Sequence, residues 1–278
     1  MTQRAYAVVD AFTDQPLEGN PVAVFADGSG LEGEHMQRTA RELNLSETVF
    51  LLPVSEGAEA DVRVRIFTPK SEMPFAGHPI LGTAVLLAAE RGLDFVRLET
   101  GAGVIRVSVD GQQAEMEQPI PRIEPFPPID QLLAALGVER AVLPVEAYVN
   151  GPRHVMVGLT SEAQVAALAP NLGALEELGQ LGVSCFAGGE GRYRTRVFAP
   201  GLGVPEDPAT GSAAGPLGVH LLRHGRVVPG QPIEIHQGLE IGRPSLLRVR
   251  VEGSPERAER VLVGGSAVIV AHGEYRLQ

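Results

Sequence analysis

Cysteine is nearly absent from this sequence: Cys185 stands alone among 278 residues, which excludes an intrachain disulfide and any metal site built on a cysteine cluster. Its apolar setting, VSCFAGG, reads as a buried small hydrophobe rather than a nucleophile. No apolar run reaches the roughly 18 residues that span a bilayer, so no membrane partner is expected. The opening MTQRAYAVVDAF lacks the apolar region and cleavage site of a signal peptide, and the cytoplasm is the expected location. Positive charge is also short: a net charge of −11, with arginines scattered rather than gathered into a stripe, argues against a nucleic-acid partner. Familiar catalytic motifs are missing too. GVPEDPATGS lacks the final Gly-Lys-Ser/Thr of a phosphate loop, TGSAAG is not a hydrolase elbow, and no Gly-x-Gly-x-x-Gly opens a helix after a strand with an acid beyond it.

The chain does have material for a core, since 44% of its residues are hydrophobic against 21% charged. Its length fits one large domain or two of roughly 130 residues. Internal similarity favours two. RIFTP at Arg65 answers RVFAP at Arg196, an offset of 131; GNPVAVF at Gly19 answers GPRHVMV at Gly151, an offset of 132; GHP at Gly77 answers GSA at Gly211, an offset of 134. The order is preserved and the offset drifts little, so the chain reads as two related halves, 1–128 and 129–278, with its last residues packing back on the first half.

Each half shows the same pattern: an alternating strand, an amphipathic helix, further strands, then a Gly/Pro turn and a helix. Met36, Ala40 and Leu43 recur at helical spacing, while Val62, Val64 and Ile66 alternate with Arg63 and Arg65. The helix ILGTAVLLAAERG is apolar nearly all round and must be buried; it closes on Arg91 and Gly92, as AAGPLGVHLLRHG closes on His224 and Gly225. The expected class is α+β, with antiparallel sheets wrapped about one helix per half.

The two turns carry the candidate chemistry. In AGHPI, Pro79 suits the first helical position and makes His78 the cap; Ser212 stands in the equivalent place in ATGSAAG. Both helix starts would then attract an anion, and if the halves face each other about a pseudo-twofold axis they converge on one cleft. Each residue also has a plainer reading, His78 and Ser212 as caps only and Glu206 with Asp207 as a solvated turn. Glu47, in LNLSETVFLLP, is flanked by apolar residues: it is either a surface residue opening a strand or a desolvated carboxylate with a raised pKa, suited to acid–base work. His220 and His224 have the i, i+4 spacing of a metal pair but no third ligand nearby in sequence, so no metal is expected.

Together DAFTDQPLEGNPVAVF, SETVFL, RIFTPKSEMPFAGHPILGTA, EDPATGSAAG and QGLEIGRPS resemble the signatures of the PhzF family, named for the phenazine-biosynthesis isomerase, in order and over nearly the whole chain. The resemblance implies a diaminopimelate-epimerase-like fold: two pseudo-symmetric domains, each a β-barrel-like sheet around a central helix, with the active site between them. It puts the general acid/base on Glu47 with Ser46 beside it, His78 and Asp207 as orienting or proton-relaying residues, and Gly77, Gly211 and Ser212 as the grip on a substrate carboxylate. Where related epimerases use paired cysteines, this chain has Ala76 and Thr210. The implied protein is a homodimeric isomerase that needs no cofactor and acts on a small carboxylated substrate. The alternatives are an amino-acid epimerase or racemase, and a scaffold that binds a small molecule without turnover.

Overall fold

The alternating stretches become strands and the apolar runs become central helices. In the computed structural model, which describes residues 2–277, the first half contains β1 (Thr2–Ala11), β2 (Asn20–Phe25), α1 (Gly33–Leu43), β3 (Glu47–Leu52), β4 (Val62–Phe67), β5 (Glu72–Met73), α2 (Gly77–Arg91), β6 (Phe95–Thr100), β7 (Gly103–Asp110), β8 (Gln113–Gln118) and β9 (Arg122–Pro125). The second half contains α3 (Ile129–Leu136), β10 (Glu146–Val149), β11 (Arg153–Gly158), α4 (Glu162–Ala166), α5 (Leu172–Glu177), β12 (Gly182–Gly189), β13 (Arg192–Ala199), β14 (Val204–Asp207), α6 (Gly211–Arg223), β15 (Ile233–Gln237), β16 (Ser245–Gly253) and β17 (Ala258–Leu277). The described strands join in one hydrogen-bonded network.

The duplication is visible in the pairing. β4 pairs with β5 as β13 pairs with β14, β6 with β7 as β15 with β16, and β7 with β8 as β16 with β17, all antiparallel. The sheets are not wholly antiparallel as the sequence suggested. Each half has two parallel pairs at equivalent places, β2–β3 and β4–β6 in the first, β11–β12 and β13–β15 in the second. A connection long enough to carry α1 or α2 over the sheet permits the parallel return. The equivalent strands β8 and β17 pair antiparallel with each other, the arrangement a twofold relation produces. The end of β17 pairs with β1, Thr2 opposite Leu277, and β9 pairs with β10. Strands therefore pair across the halves at three places, β8–β17, β1–β17 and β9–β10, and we propose the division at 128/129 as a description of the repeat rather than as a break between independent bodies.

Helices α2 and α6 hold the centre. Every residue from Gly77 to Ala88 and from Gly211 to Leu222 is buried, as their lack of a polar face requires. Both belong to the largest apolar cluster, together with Val9, Val22, Val249 and Val263. Phe25, Phe50 and Phe67 pack beneath α1 with Met36 and Ala40, the rings of Phe25 and Phe50 stacked at 4.7 Å. Cys185 lies in a separate cluster under α3 to α5, where burial pushes its thiol up. Gly92 ends α2 in the left-handed conformation at φ 67°, its N–H returning to the Ala88 carbonyl.

The N-termini of α2 and α6 abut. A Cβ on Gly77 would lie 2.4 Å from the Gly211 carbonyl carbon and 2.5 Å from the Ser212 nitrogen, so only hydrogen fits there. The obstacle is backbone on a buried helix, which cannot swing aside. Gly77→Ala is expected to destabilise the fold by at least about 3 kcal/mol, read from urea unfolding. A loss below about 1 kcal/mol would show that the two helix starts have room to separate.

Candidate active site

The caps differ by two residues from the sequence expectation. Ala76 and Thr210 are the N-caps of α2 and α6, and neither makes a side-chain capping bond; His78 and Ser212 are the second helical residues. Pro79 therefore sits at the third position, where its missing N–H also costs nothing. Because His78 and Ser212 are not spent on capping, their side chains are free for other partners, and the first amides of both helices point into one joint. Pro216 extends the same logic. It removes the helical donor to the Ser212 carbonyl, and Asn150 Nδ2 takes that place at 3.0 Å.

Around this joint the structure gathers Glu47, His78 and Asp207. Glu47 opens β3, with Oε2 3.4 Å from His78 Nδ1 and, among the described residues, no hydrogen-bond partner for that oxygen. Asp207 ends β14 with 7% exposure, and Asn20 Nδ2 donates to its Oδ1 at 2.8 Å while Thr210 Oγ1 donates to its Oδ2 at 2.6 Å. The same Asn20 amide lies 3.2 Å from His78 Nδ1 and donates to the Ala209 carbonyl at 3.0 Å. One fully buried amide thus bridges segments 187 residues apart. Gln237 braces the far side, donating to the Asp207 carbonyl at 2.7 Å and to Thr210 Oγ1 at 3.0 Å. The solvated-turn reading of Glu206 and Asp207 fails on both residues, since Glu206 is paired to the Arg196 guanidinium at 2.7 Å.

Burial sets the protonation states. It raises the Glu47 carboxyl well above its ordinary value, and the charge of Asp207 adds to the effect. Asp207 is also raised by burial, held back by donors from Thr210, Ser46 and Asn20. His78 falls to about 3 through burial, with a smaller opposing pull from the Pro21 carbonyl, so its imidazole is neutral. A carboxyl group raised by desolvation holds its proton more tightly than an exposed one, which suits it to both taking and returning a proton.

The duplicated fold is not duplicated in its chemistry. In the parallel pairing, Glu47 stands opposite Val22, and Gly182 stands in the equivalent position opposite His154. A Cβ at Gly182 would come within 2.8 Å of His154 Nδ1, so the missing side chain makes room for that ring. His154, held neutral by burial at a pKa of about 3, reaches Ser212 Oγ at 3.0 Å. Asp207 likewise has Met73 as its equivalent, for Val197 pairs with one as Ile66 pairs with the other. Each acid thus lacks an acidic counterpart in the other half, and the Ser212 hydroxyl is paired with the His154 imidazole beside the position equivalent to Glu47. Ala76 and Thr210 line the narrow cavity between them, about 30 Å³ in volume, with Glu47, His154, Asp207 and Ser212.

Sequence reasoning missed Asn20, Asn150, His154 and Gln237. Asn20 and Gln237 lie in quoted segments, and the available signal was a polar residue at an apolar strand's edge, which is tolerated only when bonded. His220 and His224 lie at the other end of α6, and the third ligand absent nearby in sequence is present in space as Glu146.

The family described as phenazine biosynthesis-like protein, PhzC-PhzF, matches residues 9–273. The chain is similar to trans-2,3-dihydro-3-hydroxyanthranilate isomerase of Pseudomonas aeruginosa, 52% identical over 274 residues that cover 96% of this chain and 98% of that one. Among solved structures it is similar to a PhzF-family phenazine biosynthesis protein of Bacillus anthracis, with TM-score 0.84, 28% identity, and 99% and 100% of the two chains covered. It is also similar to a predicted epimerase from Pseudomonas aeruginosa, with TM-score 0.82, 33% identity, and 98% and 99% covered.

The raised Glu47 carboxyl has a consequence for stability. Its pKa is higher folded than unfolded, so its contribution is present below the unfolded value near 4.5 and lost as pH rises through the folded one. Glu47→Gln removes the buried charge and is expected to melt about 2–4 °C above the parent at pH 8, taking roughly 1 kcal/mol for the relief. The gap closes as pH falls toward 4.5. Equal melting temperatures across that range would mean that Glu47 is not desolvated.

Proposed function

Because this chain belongs to the PhzC-PhzF family and is an isomerase of the PhzF type, we propose that Glu47 is its general acid/base and moves one proton along a small carboxylated substrate. The carboxylate of Glu47 takes a proton from an sp³ carbon beside the substrate's unsaturated system, the C–H electrons form a new double bond to the neighbouring carbon, and the π electrons they displace move onto the carboxyl-bearing carbon and into its carboxylate. Glu47, now protonated, returns the proton to that carbon, where the displaced pair becomes the new C–H bond, so one double bond has moved and none is gained or lost. Atoms and charge balance with no cofactor. The first amides of α2 and α6 at Gly77, His78, Gly211 and Ser212 would hold the substrate carboxylate and the enolate-like charge that develops on it. His78 and Asp207 orient the substrate or relay its protons, and Ser46 supplies a donor beside them. The substrate named for the Pseudomonas aeruginosa relative, trans-2,3-dihydro-3-hydroxyanthranilate, has the carboxylate and unsaturated ring this chemistry needs, and we propose it here. The active form we propose is a homodimer in the cytoplasm.

The observation that carries this reading is the one-sidedness of the acids. An epimerase needs a base on each face of the reacting carbon. Here Gly182 stands at the position equivalent to Glu47 and no thiol lines the cavity, whereas a double-bond shift needs a single group that removes and returns the proton on one face. A scaffold without turnover would have no use for a carboxylate whose Oε2 is buried and, among the described residues, without a hydrogen-bond partner.

Incubation of the proposed substrate in D2O is expected to place less than one deuterium at the receiving carbon of the isomerised product, the shortfall being the substrate's own proton carried across by Glu47. Glu47→Gln is expected to lower kcat by about 10² to 10⁴-fold with little change in KM. Turnover by Glu47→Gln within tenfold of the parent would remove Glu47 from the mechanism, and a product differing only in configuration would favour epimerisation.

A further inference from the structure

At the end of α6 remote from Ser212, His220 and His224 project from successive turns toward the first residue of β10. That residue is Glu146, whose Oε2 lies 2.9 Å from His224 Nε2 and 3.4 Å from His220 Nδ1. One ligand atom from each of the three lies within 4.8 Å of those of the other two. The Tyr148 hydroxyl stands 3.0 Å from both Glu146 Oε2 and His220 Nδ1. Arg223 approaches the other carboxylate oxygen, with Nε 3.6 Å from Oε1. The His220 ring is fully buried, while Glu146 and His224 each keep 18% exposure, which leaves an approach from solvent.

We propose that Glu146, His220 and His224 form a site for a divalent transition cation of the zinc type, separate from the site of isomerisation. Two imidazoles and one carboxylate are a ligand set zinc accepts, with a fourth position left for water. A tetrahedron with metal–ligand arms of about 2.1 Å has edges of roughly 3.4 Å. The His220–Glu146 separation has that length already, and the His224–Glu146 pair need open by only a fraction of an ångström. Arg223 neutralises Oε1 and leaves Oε2 facing the imidazoles, and the Tyr148 hydroxyl fixes that oxygen as an outer-shell donor does.

The cation would tie the last turn of α6 to β10, the strand that runs on to Asn150 and so to the Ser212 carbonyl. Between eight and twelve helical residues, about 12–18 Å, separate it from Ser212. The role is therefore structural: it would lock the helix whose N-terminus forms half of the joint.

The test is calorimetric titration of the chelator-stripped full chain with Zn²⁺, paired with the visible spectrum of its Co²⁺ complex and with melting curves. The parent is expected to bind one equivalent, to give the intense bands of four-coordinate Co²⁺, and to melt at higher temperature with Zn²⁺. His224→Ala and Glu146→Gln are expected to lose at least about a hundredfold in affinity, and Tyr148→Phe about 10–100-fold, with isomerase activity retained in each. His224→Ala tests a partly exposed residue and Glu146→Gln preserves side-chain volume, so folding, checked by circular dichroism, is separable from binding. A parent that binds no Zn²⁺, or variants that bind it as the parent does, would overturn the site.

Discussion

Two buried helices meet end to end with nothing between their first residues but hydrogen atoms, and the rest of the molecule follows from that contact. Gly77 and Gly211 are the only residue type that permits it, because a Cβ on either would strike the backbone or ring of the opposing segment within 3 Å. The abutment aligns the positive ends of two helix dipoles on one point inside the protein. Such a pair repels itself, and a buried anion beside it relieves the repulsion.

The acids that sit there show how a duplicated fold becomes a one-sided site. Strand pairing repeats between the halves down to individual register positions, yet Glu47 faces Gly182 in that correspondence, and Asp207 faces Met73. Each replacement has a structural effect beyond the loss of an acid. Gly182 lets His154 swing in toward Ser212, and Met73 lends the cavity an apolar wall. Desolvation then does the tuning, since the surroundings that raise Glu47 also keep His78 and His154 neutral. The buried network through Asn20, Thr210 and Gln237 holds Asp207 in place, with a donor on each carboxylate oxygen and one on its carbonyl.

How much of this was readable in the chain depends on the range of the interaction. Helices α1, α2 and α6 were legible because Met36, Ala40 and the unbroken apolar runs encode local periodicity, and the repeat was legible from offsets that barely drift. Glu47 was readable only as either a surface residue or a desolvated carboxylate, because the residues gathered around it, Ala76, His154 and Asp207 among them, are distant in sequence. The caps were misplaced by two residues, since proline fits the third helical position as well as the first and no local signal chooses between them. The parallel strand pairs were missed because register between distant strands is decided by what packs across the sheet. Asn20 and His154 were invisible in role for the same reason, their partners lying 58 residues away or more. Glu146 lies 78 residues from His224 and follows that rule.

The central claim is that one carboxylate, Glu47, handles the migrating proton on a single face in a site that water scarcely enters. It is tested most directly by single-turnover isomerisation, in H2O, of substrate carrying deuterium at the carbon that gives up the proton. Transfer of part of that deuterium to the receiving carbon of the same molecule is the predicted result, because one shielded group carries the label from donor to acceptor. Complete washout of the label, with none at the receiving carbon even in the first turnover, would contradict a single-carrier mechanism and require a second proton donor across the cleft.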